Sequence, residues 1–226
     1  MYKKYIPLLF GILVISGYQA NAQRIRLGVF ANPSISWFKS DVSKVEADGA
    51  RMGFDVGLMV DKFFAEHYAF TSGLSIHSMG GTINYHDPIN LRTNEGTKTL
   101  RPNSLVKYHL QYLHIPLGIK MRTTEIGYFT YFAQLGLDPM INVKANASFT
   151  DNTNTAYSNA GVGDEINTFY LAYHASAGLE YKLAESTSLF AGLTYMNGVS
   201  DITDNSGSTT EKTVMHGFSL RLGILF

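Results

Sequence analysis

Apolar and polar side chains alternate along most of this chain with a period of two residues. From Ile25 onward the odd positions continue with Leu27 and Val29, while the even positions carry Arg26 and Gly28. Successive side chains of a β-strand point to opposite faces of a sheet, so this period is typical of a strand between two different environments. The pattern restricts the chain to β architectures with one apolar face and one polar or small-residue face.

Eight segments share this alternation and are predicted to be strands, at about residues 25–37, 52–63, 68–82, 107–122, 128–147, 167–182, 188–197 and 214–226. Three connections are short, at residues 64–67, 123–126 and 183–187. Four are long and polar, at residues 38–51, 83–106, 148–166 and 198–213. Short turns at one rim and long loops at the other are the layout of an outer-membrane barrel. The sequence predicts an all-β fold, an eight-stranded antiparallel up-and-down transmembrane β-barrel.

Alternation alone also fits a soluble eight-stranded barrel whose apolar face surrounds a ligand. The positions of the aromatic residues favour a membrane. On the sixth segment, Phe169 and Tyr173 are separated from Tyr181 by up to about 40 Å of strand, or about 30 Å of height at a tilt near 40°. This spacing matches two girdles at the edges of a hydrocarbon layer. The predicted girdle residues are Trp37, Phe129, Tyr131, Phe169, Tyr173, Tyr181, Tyr195 and Phe226.

The polar face is predicted to line the lumen, because eight strands leave an interior just wide enough to be packed with side chains. Charges there need partners, since an unpaired buried charge is costly. The predicted lumen network consists of Arg24, Arg26, Asp55, His114, Lys120, Arg122, Asp138, His174, Glu180, Lys182 and Arg221. Its short-turn end is predicted to be basic, with Glu180 and the further candidate Asp61 facing Arg24, Arg26, Lys120, Arg122, Lys182 and Arg221.

The N-terminal residues have the order of a secretory signal peptide. Lys3 and Lys4 precede an apolar run at residues 6–15, and Ala20 and Ala22 flank Asn21 before the expected cleavage point. The apolar run is about ten residues long, whereas a membrane-spanning helix needs about 20. We predict a signal peptide at residues 1–22 and a barrel domain at residues 23–226.

Charge and cysteine content narrow the classes of function. The chain has 226 residues, with 18 basic and 18 acidic side chains and a formal net charge of zero, so no nucleic-acid partner is expected. It has no cysteine, which excludes disulfides, thiolate metal sites, a cysteine nucleophile and a lipid-modified cysteine anchor. Charged residues make up 16% of the chain and aromatic residues 13%, as expected when the outer face of a sheet is apolar with aromatic edges.

Four phrases carry a resemblance to a known family: FANPSISW at residues 30–37, QYLHIPLGIK at 111–120, LTYMNG at 193–198 and LRLGILF at 220–226. They resemble the PorT-like outer-membrane β-barrel proteins of Bacteroidetes, and the resemblance covers essentially the whole chain after residue 22. The resemblance implies a location in the outer membrane of a Gram-negative cell and insertion by the barrel-assembly machinery, with Phe226 as a C-terminal signal. It also implies an association with protein secretion and gliding.

Motifs for catalysis or metal binding are weak. His174 and Ser176 share a strand face and with an acid would form a lipid-deacylating triad, but both are predicted to face the lumen, away from an acyl substrate. His86 and Asp87, together with His109, are candidates for metal contact, yet no recognised ligand spacing accompanies them. We therefore predict no catalytic residue, cofactor or metal.

These observations predict a non-enzymatic outer-membrane protein with both termini in the periplasm and long outer loops that engage another macromolecule. The expected partners are outer-membrane lipid, the barrel-assembly machinery and a secretion-system or surface protein. Because the lumen is predicted to be filled, scaffolding and display are favoured over conduction. The alternatives are a small pore and, less favoured, a barrel enzyme that acts on lipid or peptide.

Overall fold

The computed structural model describes residues 25–40, 45–204 and 212–226. The predicted signal peptide and Arg24 lie outside these ranges. The described strands are β1 (Ile25–Ser40), β2 (Val45–Ala65), β3 (Tyr68–Tyr85), β4 (Ile89–Thr93), β5 (Gly96–Leu100), β6 (Ser104–His114), β7 (Leu117–Arg122), β8 (Phe129–Thr150), β9 (Ala156–Gly161), β10 (Phe169–Lys182), β11 (Ser188–Gly198) and β12 (Thr213–Leu225). A 3₁₀ helix covers Gly163–Glu165. Among the described residues, no helix is long and apolar enough to cross a membrane.

The main sheet closes into a ring, because β1 pairs antiparallel with both β2 and β12. The ring continues from β2 through β3, β6 with β7, β8, β10 and β11 to β12. Strands β6 and β7 share one position in the wall: Pro116 lies between them, and a proline has no N–H to donate to the ladder. Within the described residues the ring has eight positions, which confirms the predicted eight-stranded antiparallel barrel.

The outer surface of the ring carries a continuous apolar band. Leu58, Leu74, Leu135 and Leu193 all have more than half of their side-chain surface exposed. Large exposed apolar areas are unusual on a soluble monomer and normal on the lipid face of a membrane barrel. The band therefore defines the part of the wall that faces hydrocarbon.

Several strands extend past this band at the long-loop end. Strand β8 has 22 residues. At about 3.3 Å per residue and a tilt of about 40°, it spans about 55 Å of height, roughly twice the apolar band of about 25 Å. The prediction of a first long loop at residues 38–51 is therefore wrong, because β1 continues to Ser40 and β2 begins at Val45.

The inside of this projecting part is apolar. On β3 the inward positions change from Ser75 and His77 to Met79 and Ile83, and the last two are almost fully buried. Side chains from the wall and from the loops complete this packing, which we name the loop-end core. It comprises Phe38, Met79, Ile83, Leu91, Leu100, Val106, Tyr108, Leu110, Tyr112, Met140, Ala145, Ala147, Phe149, Val162, Ile166, Tyr170, Ala172, Met196, Ile202 and Met215.

The two middle long loops are folded, which the sequence pattern did not predict. Strands β4 and β5 form a hairpin within the predicted loop at residues 83–106, and Gly96 at its turn has a φ of 103°, which favours glycine. Strand β9 pairs with β8 within the predicted loop at residues 148–166. The hairpin, β9 and the 3₁₀ helix together are named the loop-end cap.

Candidate functional site

Four charged side chains meet inside the barrel near its short-turn end. The Lys120 Nζ atom lies 2.8 Å from Asp61 Oδ2 and 2.6 Å from Glu180 Oε1. Arg26 reaches across the lumen, with Nη1 2.6 Å from Glu180 Oε2. Asp61 and Glu180 are 0% and 2% exposed, so both acids depend on these cations. This lumen ion cluster ties together β1, β2, β7 and β10.

Three histidines and two aspartates occupy the middle of the lumen. Asp138 Oδ1 accepts hydrogen bonds from His114 Nε2 at 3.0 Å and from His174 Nδ1 at 2.8 Å. Asp55 and His77 face each other on β2 and β3, and Asp55 Oδ2 lies 3.6 Å from His114 Nδ1. All five residues of this His/Asp cluster are buried. Within the described chain, Asp55, His77 and His114 form the group whose donor atoms are close enough together to hold a metal ion.

Arg221 on β12 lies beside both clusters and crosses the lumen. Its Nη1 atom donates a hydrogen bond of 2.8 Å to Gln134 Oε1 on β8. Its guanidinium lies 5.9 Å from the centre of the Phe132 ring and 5.8 Å from that of Phe190. Contacts with two aromatic rings stabilise this half-buried cation. Arg221 therefore fills the space between opposite walls.

The geometry of a lipid-deacylating triad is not assembled around His174. Its Nδ1 atom contacts Asp138, as a triad requires, but its Nε2 atom lies 2.9 Å from the Gln134 amide nitrogen. The Ser176 hydroxyl instead bonds to the Thr194 hydroxyl at 2.8 Å. These side chains form a packed interior network.

A glycine makes room for His174. A Cβ atom on Gly136 would lie 2.5 Å from His174 Cε1 and 2.3 Å from the Leu117 carbonyl oxygen. Real Cβ atoms essentially never approach so closely, so glycine is required where the imidazole packs against the neighbouring strand.

Three further basic residues were predicted to lie in the lumen near the short turns: Arg24, Arg122 and Lys182. Arg122 points inward with its guanidinium 5.1 Å from the centre of the Phe63 ring. Lys182 lies at the rim, with Nζ 3.0 Å from Glu125 Oε2 and about two fifths of its side chain exposed, so the structure corrects its assignment to the lumen. Its position at the last residue of β10 explains this, because the strand there leaves the barrel interior. Arg24 lies outside the described residues.

The described girdle candidates lie on the outside of the wall. At the long-loop end, the Trp37 ring lies 6.1 Å from His216 and 5.9 Å from Phe218. At the short-turn end, the Phe129 and Tyr181 rings are 5.1 Å apart. The remaining candidates are outward-facing and exposed or half-buried: Tyr131, Phe169, Tyr173, Tyr195 and Phe226.

Arg92 joins the parts of the loop-end cap. Its Nε atom and its backbone N–H both donate to Glu165 Oε1 at 2.8 Å, and its guanidinium also contacts the Asp164 carbonyl oxygen. The hydrogen bond to Glu165 raises the pKa of the Arg92 guanidinium above its ordinary value. The β4 and β5 hairpin is thereby fixed to the 3₁₀ helix.

The predicted metal candidates in this region do not come together. His86 contacts Asn103 through Nδ1 at 2.9 Å and Glu46 through Nε2 at 3.3 Å. His109 lies on β6, opposite Gly80 of β3. The candidate donor set lies inside the barrel instead.

Three lumen residues have roles that were not predicted from the sequence: Thr71, His77 and Gln134. Thr71 donates a hydrogen bond of 2.5 Å to Asp61 Oδ1, and Gln134 links His174 to Arg221. All three occur at inward positions of alternating segments, so the signal was the alternation itself. Their partners lie on other strands, and no local spacing reveals them.

The closed ring, its apolar outer band and its charged lumen define an integral membrane β-barrel. The sequence profile of the outer membrane protein beta-barrel domain matches residues 18–204. The chain belongs to this family and is a protein of the outer membrane.

Solved structures of bacterial barrels are similar at low identity. Neisserial surface protein A is 12% identical with a TM-score of 0.46, and the match covers 88% of this chain and 95% of that protein. OprG from Pseudomonas aeruginosa is 14% identical with a TM-score of 0.45, covering 89% and 93%. The attachment invasion locus protein Ail of Yersinia pestis is 15% identical with a TM-score of 0.39, covering 89% and 99%. No curated protein matches the chain.

Proposed function

We propose that this protein is a closed, non-enzymatic outer-membrane scaffold that displays its loop-end cap to another macromolecule outside the cell. The observation that carries the proposal is the packing across the lumen within the loop-end core. Phe38 from β1 and Tyr108 from β6 meet edge to face with their ring centres 5.7 Å apart. Tyr170 from β10 bonds to the backbone of Met215 on β12.

The lumen ion cluster supports the same proposal at the other end. Arg26 and Lys120 each contact Glu180, so cations from two sides of the ring meet one acid on β10. A barrel bridged inside by side chains at two levels has no wide path for solutes, because eight strands enclose little free volume. This favours scaffolding over the alternative of a small pore.

The cap supports display because it is held in place by specific contacts. Besides the Arg92 contacts, the Asn94 N–H donates to the Gly161 carbonyl at 2.9 Å and the Asn152 N–H donates to the Thr99 carbonyl at 3.0 Å. A preorganised surface loses less conformational entropy on binding than a flexible loop does. The cap is therefore suited to binding a partner.

The proposal has three further parts. Residues 1–22 are removed on export, the barrel-assembly machinery inserts the barrel, and both termini lie in the periplasm. The resemblance to PorT-like barrels points to a secretion-system or surface protein as the partner. The short connections at one rim and the folded cap at the other support this orientation, since outer-membrane barrels have short periplasmic turns and longer external loops.

Conductance in planar lipid bilayers tests the closed lumen. We expect no sustained current steps from the purified barrel, while heat-modifiable gel migration of the same sample verifies that it is folded. Stable current steps from the folded protein would favour the small pore instead.

Photo-crosslinking in cells tests display. A photoreactive residue placed at Thr97, exposed on the hairpin, is expected to give a protein adduct. The same residue at Glu66, exposed at the opposite short-turn end, is the matched control. Adducts from Glu66 alone, or from neither position, would contradict a role for the cap.

An assay on isolated outer-membrane lipids tests the non-enzymatic part of the proposal. Hydrolysis of these lipids by the protein would contradict it.

A further inference from the structure

Asp55, His77 and His114 bring three metal-ligating groups together inside the barrel. Each offers one ligand atom, and these atoms lie within 4.8 Å of one another. Imidazole nitrogens with one carboxylate are typical ligands of zinc and of other divalent transition metals. We propose that this trio is a binding site for a divalent transition metal of the zinc type, within a lumen otherwise built for structure.

Two buried atoms of the trio have no other partner to satisfy them. Within the described part of the chain, Asp55 Oδ1 and His77 Nδ1 make no hydrogen bond, although the two residues are only 6% and 7% exposed. Buried polar atoms are nearly always hydrogen-bonded, since leaving one unsatisfied costs free energy. A metal ion accepts electron pairs from both atoms and accounts for their position.

His114 is held in the orientation that a metal ligand needs. With the Nε2–H donated to Asp138 Oδ1 at 3.0 Å, the deprotonated Nδ1 atom, 3.6 Å from Asp55 Oδ2, is the nitrogen that would bind the metal. Metal-bound histidines commonly donate their second nitrogen to a carboxylate in this way. The Ser75 hydroxyl, 3.1 Å from His114 Nδ1, is the contact that the metal would displace.

The dimensions are compatible with a small ion. Ligand atoms around tetrahedral zinc are about 3.4 Å apart, so the trio, whose ligand atoms lie within 4.8 Å of one another, must contract by up to about 1.4 Å. Asp55 and His77 are directly paired on neighbouring strands, so rotation of their side chains changes the distance between their ligand atoms. A cavity of about 50 Å³ adjoins the trio and has room for a water molecule as a fourth ligand.

Metal retention tests the site. The full chain, without a histidine tag, is refolded in detergent with zinc and dialysed, and zinc per folded barrel is measured by mass spectrometry. We expect about one zinc per chain. Asp55→Asn and His77→Gln are each expected to weaken zinc binding about 100-fold or more, and Asp138→Asn about 10- to 100-fold through the orientation of His114.

His109→Gln is the matched control, because the His109 Nδ1 atom also lacks a hydrogen-bond partner among the described residues but lies outside the trio. Its zinc content should equal that of the wild type. Zinc retained equally by His77→Gln, or absent from the wild type, overturns the proposal. Cobalt(II) bound to the wild type gives a readout that needs no variant to fold: we expect visible absorption bands of a low-symmetry nitrogen and oxygen site, and a spectrum identical to aqueous cobalt overturns the site.

Discussion

The two sections of this barrel bury opposite kinds of side chain with the same strands. Where the wall carries the apolar band, the inside is dominated by ions and histidines and holds only a small apolar cluster, formed by Phe30, Met59, Phe132, Phe190 and Leu225 among the described residues. Where the wall projects beyond the band, the inside is the much larger loop-end core. Strand β3 shows both, since buried Thr71 and Ser75 are followed by buried Met79 and Ile83 on the same face. The strand pairings continue into the projecting section, with register shifts near the change, between Ala50 and Phe54 on β2 and between Gln111 and Tyr112 on β6.

The difference teaches that the surroundings of the wall decide its inner chemistry. In the band, apolar side chains are satisfied by lipid, so the remaining polar face turns inward and must find its own partners. Beyond the band, water surrounds the wall and the hydrophobic effect drives apolar groups inward, as in soluble proteins. One section is held by specific pairing and the other by burial.

We expect the largest effect from a substitution that breaks the ion pairs inside the banded section of the wall. Lys120→Ala leaves Asp61 and Glu180 buried with fewer cations, and we expect a loss of about 3–5 kcal/mol in unfolding free energy. Denaturant unfolding of the detergent-refolded barrel measures it. Lys107→Ala, an exposed lysine of the neighbouring β6, is the control and should change stability by less than about 0.5 kcal/mol. Equal effects at both lysines would contradict pairing as the source of stability.

The second-largest effect is expected from a substitution that removes packing in the loop-end core. Leu110 is fully buried there, and Leu110→Ala should cost about 2–5 kcal/mol through lost burial and a residual cavity. The same unfolding experiment measures the loss. Gln111→Ala, at the adjacent outward position, serves as the control and should be nearly neutral. A nearly neutral Leu110→Ala would mean that this section is not held by burial.

An arginine on the outer face of the wall tests where the apolar band ends. Leu135 faces outward from the band, and Leu135→Arg should destabilise the barrel in lipid by about 2–4 kcal/mol if it lies near the bilayer midplane. Gln111→Arg, outward beyond the band, should have little effect. Unfolding in phospholipid vesicles is the suitable measurement. Similar costs at both sites would place Gln111 in hydrocarbon and shift the boundary toward the cap.

The sequence alone predicted the ring because alternation is a local signal. Each of the eight segments carries its own period of two, and Leu135 or Leu193 is assigned to the lipid face without knowledge of any neighbour. The loop-end cap escaped prediction because its strands are five or six residues long, too short for the pattern to stand out. Their stability comes from contacts with β8 and the 3₁₀ helix.

The types of residue in the candidate site could be predicted from the sequence, but the pairs that they form could not. Arg26, Lys120, Asp138 and Glu180 were predicted to form an interior network, and the alternation places all of them on inward faces. Which acid meets which cation depends on strand order and register across the lumen. The trio around His77 arises in the same way, since β2, β3 and β6 each contribute one residue.

The seam between β1 and β12 determines when the chain can finish folding. The Leu222 N–H donates to the Asn32 side chain across 190 residues of sequence, and the Phe226 N–H donates to the Leu27 carbonyl. Contacts of such long range form slowly, because the intervening chain must be ordered first. Strand β1 therefore keeps one edge unpaired until β12 has been synthesised and delivered, and during that interval the chain needs protection from aggregation.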